Sequence, residues 1–173
     1  YGSNVTTRTI NSVGRNNGSQ RLESGDIVCL SGYEEDVLGE SNIPIIKVEK
    51  ADINNPEAVI GVVEYKVSLK EETEFSGTEE STTGGEEITR KSFRFDEGNA
   101  NQGDYVSIVV FGPADVKVDS RESIQTGQKL TVSGNTGNAR SIKSTDNWTI
   151  GILGKALEDS NGKDTMKVFV NCK

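Results

Sequence analysis

Oxygen ligands at alternate positions are the first chemistry this chain offers. The segment Asp96-Glu97-Gly98-Asn99-Ala100-Asn101-Gln102-Gly103-Asp104 sets Asp96, Asn99, Asn101 and Asp104 as a calcium loop requires. Glu158, Asp159, Asn161 and Asp164 form a second cluster of the same kind. Neither follows the twelve-residue pattern with its closing bidentate glutamate. Turns in any acidic β protein share this look, so the expectation is a chain without a resident metal. Paired carboxylates also cleave glycosides when they stand about 5–10 Å apart. Carbohydrate subsites usually need aromatic platforms, however, and Trp148 and a few tyrosines are the main source here.

Histidine is absent. Its absence removes the commonest general base and metal ligand at once, and most hydrolase triads and zinc sites go with it. No glycine-rich stretch opens a helix in a βαβ setting, so a phosphate loop is excluded. The reading is therefore a non-enzymatic chain with no cofactor. Cys29 and Cys172 are the only cysteines. A disulfide between them would close most of the chain into one loop and stabilise it by roughly 3–5 kcal/mol. Two buried free thiols on strands are the equal alternative. Sequons at Asn4, Asn17 and Asn147 are no more than chance supplies in a chain so rich in Asn, Ser and Thr. Trp148 reads as a core or interface anchor, because an indole buries much area and needs one acceptor.

Whatever these residues do, short strands must position them. Hydrophobic residues make up 32% of 173 while glycines number 19, a mix that suits many strands joined by many turns and not long amphipathic helices. The net charge of −8 argues against nucleic acid, whose phosphates need clustered Lys and Arg, and against an anionic membrane surface. No apolar run is long enough for a membrane span. The single methionine is Met166, so translation starts upstream of Tyr1, and a removed secretion signal is the expected reason, with a processed virion N-terminus the alternative.

Along the chain, residues 1–23 read as a polar arm, in which Asn4, Val5, Thr6, Thr7, Thr9 and Ile10 are strand-competent if a neighbouring subunit offers a sheet edge. Residues 24–173 read as one β domain. Ser24-Gly25-Asp26 turns into the apolar run Ile27 to Leu30, Ile45 to Val48 follows, and Ala58 to Val63 reads as a buried strand. Lys70 to Glu87 is Glu-rich and reads as a loop; with the alternating strand Ile88 to Phe95 it makes an acidic hairpin insertion over 70–95. Asp104 to Phe111 is a strong strand that Gly112-Pro113 is expected to end, before a further strand over Ala114 to Val118. Asn161-Gly162 is the dipeptide of a tight hairpin turn, and Met166 to Val170 is the last strand. Turns every 8–12 residues predict an all-β fold, a short-stranded barrel or sandwich. An internal echo joins Ser24-Gly25-Asp26-Ile27-Val28 to Thr126-Gly127-Gln128-Lys129-Leu130, by duplication or by shared β grammar.

The order Gly103-Asp104-Tyr105-Val106-Ser107-Ile108-Val109-Val110-Phe111-Gly112, Ala114 to Asp119, Ile124 to Leu130, Gly137-Asn138-Ala139, Ile150 to Glu158 and Met166 to Asn171 resembles a β domain of phage tail-fibre and tail-spike proteins and of bacterial cell-surface proteins. Small phage capsid-decoration proteins have a similar pattern. Gly25-Asp26-Ile27-Val28 and Val59 to Val63 extend the likeness to the N-terminal half. Domains of this kind are structural or attachment modules, sometimes beside a self-cleaving chaperone, whose helical extension and nucleophile are not found here. The resemblance implies a self-assembling subunit of an extracellular filament or virion appendage (tail, fibre or capsid decoration). Its partners would be copies of itself or other virion and surface proteins, met through sheet edges and the arm. The rival is a receptor- or glycan-binding module with an exposed cluster around Tyr33, Tyr65, Tyr105 or Trp148.

Overall fold

Alternation with a period of two decides this fold, because three of its strands are apolar on both faces. The computed structural model describes residues 8–39, 42–76, 86–147 and 150–173. Its strands are β1 (Ile10–Asn16), β2 (Ile27–Glu34), β3 (Ile45–Lys50), β4 (Val59–Ser76), β5 (Glu86–Phe95), β6 (Tyr105–Lys117), β7 (Lys129–Val132), β8 (Ala139–Ser141), β9 (Gly154–Ala156) and β10 (Thr165–Asn171). Among the described residues the one helical element is a 3₁₀ turn at Pro56–Ala58. The chain is all-β, as the composition predicts.

The strands form one mixed sheet in the order β5-β4-β2-β3-β1-β6-β10-β9-β7-β8. A further pairing of β4 with β6 closes β4, β2, β3, β1 and β6 into a circuit. Beyond it, β6 continues with β10, β9, β7 and β8 as a second leaf. The architecture is a sandwich-like fold with one curled layer, not a clean barrel. Val28, Val48, Val63, Val106 and Ile108 fill the inside of the circuit with Leu22 and Ala100. Their chain neighbours Ile27, Cys29, Val62 and Val109 point the other way, into a larger core shared with Val116, Leu130, Leu153, Met166, Val168 and Val170. Successive side chains of a strand face opposite sides, so a strand between two cores must be apolar throughout. Gly61 lies in this crowded layer: a Cβ there would meet the Val109 carbonyl oxygen at 2.3 Å.

One turn recurs at the entrances to the strands. In Glu23-Ser24-Gly25-Asp26 the Asp26 amide donates to the Glu23 carbonyl at 3.1 Å, Gly25 takes φ +90°, and the Glu23 amide donates to Asp26 Oδ2 at 2.7 Å. Asn101-Gln102-Gly103-Asp104 repeats it before β6, with 3.0 Å for the backbone bond, φ +92° and 2.9 Å to Asp104 Oδ2. Gln125-Thr126-Gly127-Gln128 repeats it before β7, with 3.1 Å, φ +88° and 2.9 Å to Gln128 Oε1. Positive φ at the third residue calls for glycine, and the fourth side chain caps the first amide. The two stretches of the internal echo thus share one turn geometry.

Asp26 does more than cap. It is 1% exposed and lies 3.0 Å from Lys117 Nζ and 3.4 Å from Lys50 Nζ, while Lys117 also meets Glu23 at 2.6 Å. Burial works to lower the Lys117 ammonium, but hydrogen bonds to Glu23 and Asp26 outweigh it and leave its pKa raised. The starts of β2, the end of β3 and the end of β6 are tied by this one charge cluster.

Several boundaries differ from the sequence reading. The domain begins at β1 and not at Ser24: Ile10 to Arg15 pair antiparallel with Phe111 to Tyr105 of the same chain. Gly112-Pro113 does not end a strand, since β6 runs through it to Lys117. There β6 has left β4, whose ladder stops at Val62↔Val109, so a proline without an amide hydrogen is tolerated at an edge-like position. Lys70 to Ser76 is strand and not loop, paired with Ser92 to Glu86. Asn161 and Gly162 both take positive φ, at 46° and 74°, as the dipeptide predicts.

Because Asp26 and Asp104 cap the same turn at different depths, their alanine variants separate capping from buried charge. Asp104→Ala is expected to cost about 1 kcal/mol. Asp26→Ala, which removes the buried carboxylate between Lys117 and Lys50 and leaves Lys117 only Glu23, is expected to cost about 3 kcal/mol, both read from urea unfolding midpoints.

Candidate interaction surfaces

The proposed calcium ligands are held by the chain itself. Asp104 caps Asn101 through its carboxylate, and Lys66 Nζ sits 3.5 Å from Asp96 and 3.9 Å from Asp104. An ammonium thus takes the place a cation would occupy. Asn99 Nδ2 instead reaches Glu23 Oε1 at 3.4 Å. In the second cluster, Glu158 accepts from the Lys167 amide at 3.0 Å and pairs with Lys163 at 3.2 Å, while Asp159 accepts from the amide and hydroxyl of Thr126 at 2.8 and 3.0 Å. Among the described residues no three acids or cysteines converge as a metal site would need.

Both cysteines are free thiols, so the bridged alternative does not describe this structure. Cys29 is buried in the larger core, and Cys172 packs against the same cluster with its Sγ donating to the Leu153 carbonyl at 3.6 Å. Burial pushes the Cys29 thiol up, and pushes that of Cys172 up to about 12. Of the assembly arm, Asn4, Val5, Thr6 and Thr7 lie outside the described residues. Thr9 rests against Gly112, and Ile10 pairs with Phe111 of its own chain. That end of the arm is spent on the intramolecular sheet.

Two surfaces remain exposed and organised. The first is an aromatic strip at the base of the hairpin. Val67 stands directly opposite Phe95 on β5 and Tyr105 on β6, which places all three on one face. Tyr65 meets Phe95 edge-on at 5.3 Å, and Phe93 meets Tyr105 at 4.9 Å. Phe95 is 64% exposed. Tyr105 donates to Glu34 Oε1 at 2.8 Å, Arg15 donates to Glu34 Oε2 at 2.8 Å, and the Arg15 guanidinium lies 5.5 Å from the Tyr105 ring centre. Burial works to raise the Glu34 carboxyl, but these two hydrogen bonds outweigh it and hold its pKa low. Burial and Glu34 together raise Tyr105. Both shifts move away from neutrality, so neither group exchanges a proton near pH 7. Of the four aromatics predicted from sequence, Tyr65 and Tyr105 share this strip, Tyr33 is exposed on β2, and Trp148 lies outside the described residues.

The second surface escaped the sequence reading. On the outer face of the second leaf Lys129 stands opposite Lys155, Lys155 opposite Phe169, and Phe169 opposite Pro113. Phe169 meets Phe111 edge-on at 5.1 Å. Lys129, Lys155, Phe169, Ile152, Asn171 and Lys173 line a cleft of about 350 Å³. No ion pair forms at the three lysines among the described residues. No sequence signal marks it: Lys129, Lys155 and Phe169 are far apart along the chain, and only strand pairing puts the three in a row.

No protein-family model matches the chain, and no curated protein matches it in sequence. Among the described residues no helix is long and apolar enough to cross a membrane.

In the native protein, both thiols are expected to react with iodoacetamide at pH 8 at least about a hundredfold more slowly than a free cysteine. Unfolding in urea without reductant should release two titratable thiols. A single or absent thiol would mean a bridge.

Proposed function

We propose that this chain is a structural subunit that assembles with copies of itself in an extracellular filament or virion appendage, such as a tail, fibre or capsid decoration. One observation carries the reading: the sheet ends on β5, ten residues long and, among the described residues, without a further strand on its outer side. An open ladder of that length is a template for another strand. Below it, from Ser68 outward, the ribbon of β4 and β5 pairs with no third strand among the described residues, because the β4–β6 ladder stops at Val67; its one aromatic tie to β6 is Phe93 on Tyr105. A two-stranded hairpin is marginal in water by itself, so a ribbon of this size gains from a neighbour.

The chemistry of the acids favours the same side. Among the described residues, every carboxyl with a shifted pKa (Glu23, Glu34, Asp119, Asp146, Glu158 and Asp159) is shifted down. A general acid for glycoside cleavage needs a carboxyl shifted up. The resemblance to tail-fibre, cell-surface and capsid-decoration domains adds to this reading, and the extracellular or virion location follows from it.

Light scattering on the purified full chain across a wide concentration range, with electron microscopy of the same sample, is the direct measurement. Discrete oligomers or filaments are expected. A monomer at every concentration would sink the proposal.

The aromatic strip favours a second reading, a receptor- or glycan-binding module. Exposed rings beside a hydrogen-bonded Arg15–Glu34–Tyr105 set suit the face of a sugar. Selective binding on a glycan array that disappears in Phe95→Ala would support it, and an array without selective binding would dismiss it.

A further inference from the structure

The charge of this chain is concentrated in one place. Residues 70–87 hold seven glutamates and one lysine, a net −6 of the chain's −8. The other residues therefore sum to only −2. The described part of this segment is the outer half of the β4–β5 ribbon, where Glu71, Glu72 and Glu74 are all exposed. Glu71 meets Lys91 and Glu72 meets Arg94 across the ribbon, each at 3.6 Å. Such exposed pairs contribute about 0.2–1 kcal/mol apiece, and with every cation of the return strand counted, residues 70–95 still carry a net −3. From Ser68 to Ser76 the strand reaches about 30 Å at 3.3 Å per residue, so the ribbon carries its acids well clear of the domain.

The cleft of Lys129, Lys155, Phe169 and Lys173 has the opposite character. Lys129 and Lys155 face each other directly across β7 and β9, an arrangement of like charges that costs stability. Neither has an acidic partner among the described residues. Phe169 and Ile152 in the lining, with Phe111 packed against Phe169 beside it, give an extended segment apolar surface between the ammonium groups. Carboxylates on a strand-like segment would relieve the repulsion and fill the cleft at once.

Resting on the assembly reading above, we propose that the Glu-rich ribbon of one copy docks into the Lys129–Lys155–Phe169 cleft of a second copy. The two surfaces are different, so the contact is heterologous. Repeating it head to tail gives a ring if the rotation closes and a filament if it does not. The occupant is this chain's own segment because complementary charge is partitioned between the two surfaces of one molecule, and because the ribbon alone is marginal. Screening by salt follows directly, since both surfaces are solvent-exposed.

Two measurements test this separately from assembly itself. A synthetic peptide of residues 70–87, titrated into ¹⁵N-labelled full-length protein, is expected to shift the amides of Lys129, Lys155, Phe169 and Asn171. Raising the salt should weaken the binding, and the double variant Lys129→Glu/Lys155→Glu should weaken it by about tenfold or more. No shift at the cleft overturns the docking whether or not the protein assembles. An acidic oligosaccharide that shifts the same amides at lower concentration than the peptide also overturns it, assigning the cleft to a glycan. The second measurement is charge exchange. Lys129→Glu/Lys155→Glu and Glu79→Lys/Glu80→Lys should each fail to assemble alone, yet form mixed oligomers when combined. Wild-type protein that assembles while the cleft variant assembles equally well would defeat the docking and leave self-assembly standing. Circular dichroism of each variant identifies one that has not folded, and the singly reversed Lys155→Glu, expected to show about half the loss on a logarithmic scale, then takes its place.

Discussion

Each residue of a strand has one amide and one carbonyl to spend, and the fold turns on how β6 spends them. Its first half is bonded on both sides, to β1 and to β4, and so completes the curled layer. At Phe111 the ladder passes from β1 to β10, with Ile10 and Asn171 both registered on Phe111. The second half then founds the other leaf. Two layers therefore share one continuous strand, and the apolar side chains of that strand feed both cores. Gly112, at φ +112° beside the Arg8 carbonyl, is where the backbone bends to make the passage.

This arrangement explains how an acidic chain tolerates so many carboxylates. Within the domain the described acids are used locally. Asp26 and Asp104 close turns, Asp159 holds Thr126, and Asp146 grips Arg140 through two bonds of 2.7 and 2.8 Å. Each is matched by an amide or a cation nearby. The densest run of acids lies apart from them, in residues 70–87. A surface with one concentrated negative projection and one basic cleft is better suited to directional contacts than to a uniform repulsive shell.

The three capped turns show how local chemistry was readable before any tertiary contact. Glycine followed by Asp or Gln before an apolar run is a strand entrance wherever it occurs here, because the side chain and the positive φ act within four residues. The Asn161-Gly162 turn was readable for the same reason. The aromatic strip was half readable: Tyr65 and Tyr105 could be picked out by type, but not their meeting with Phe93 and Phe95. The lysine cleft was invisible, since Lys129, Lys155 and Phe169 are far apart along the chain and become neighbours only through the β7–β9–β10 ladder.

By itself the sequence determined that the chain is all-β, that glycine turns open β2, β6 and β7, that Met166 to Val170 is strand, and that no histidine chemistry exists. These depend on composition, periodicity and dihedral preference, which are local. Only the tertiary structure decided that β1 belongs to the domain, that β6 survives Gly112-Pro113, that Lys66 stands between Asp96 and Asp104, and that both cysteines are free thiols. Each of those outcomes depends on which strand lies alongside which, and strand pairing is a choice between distant segments that no short stretch of residues encodes.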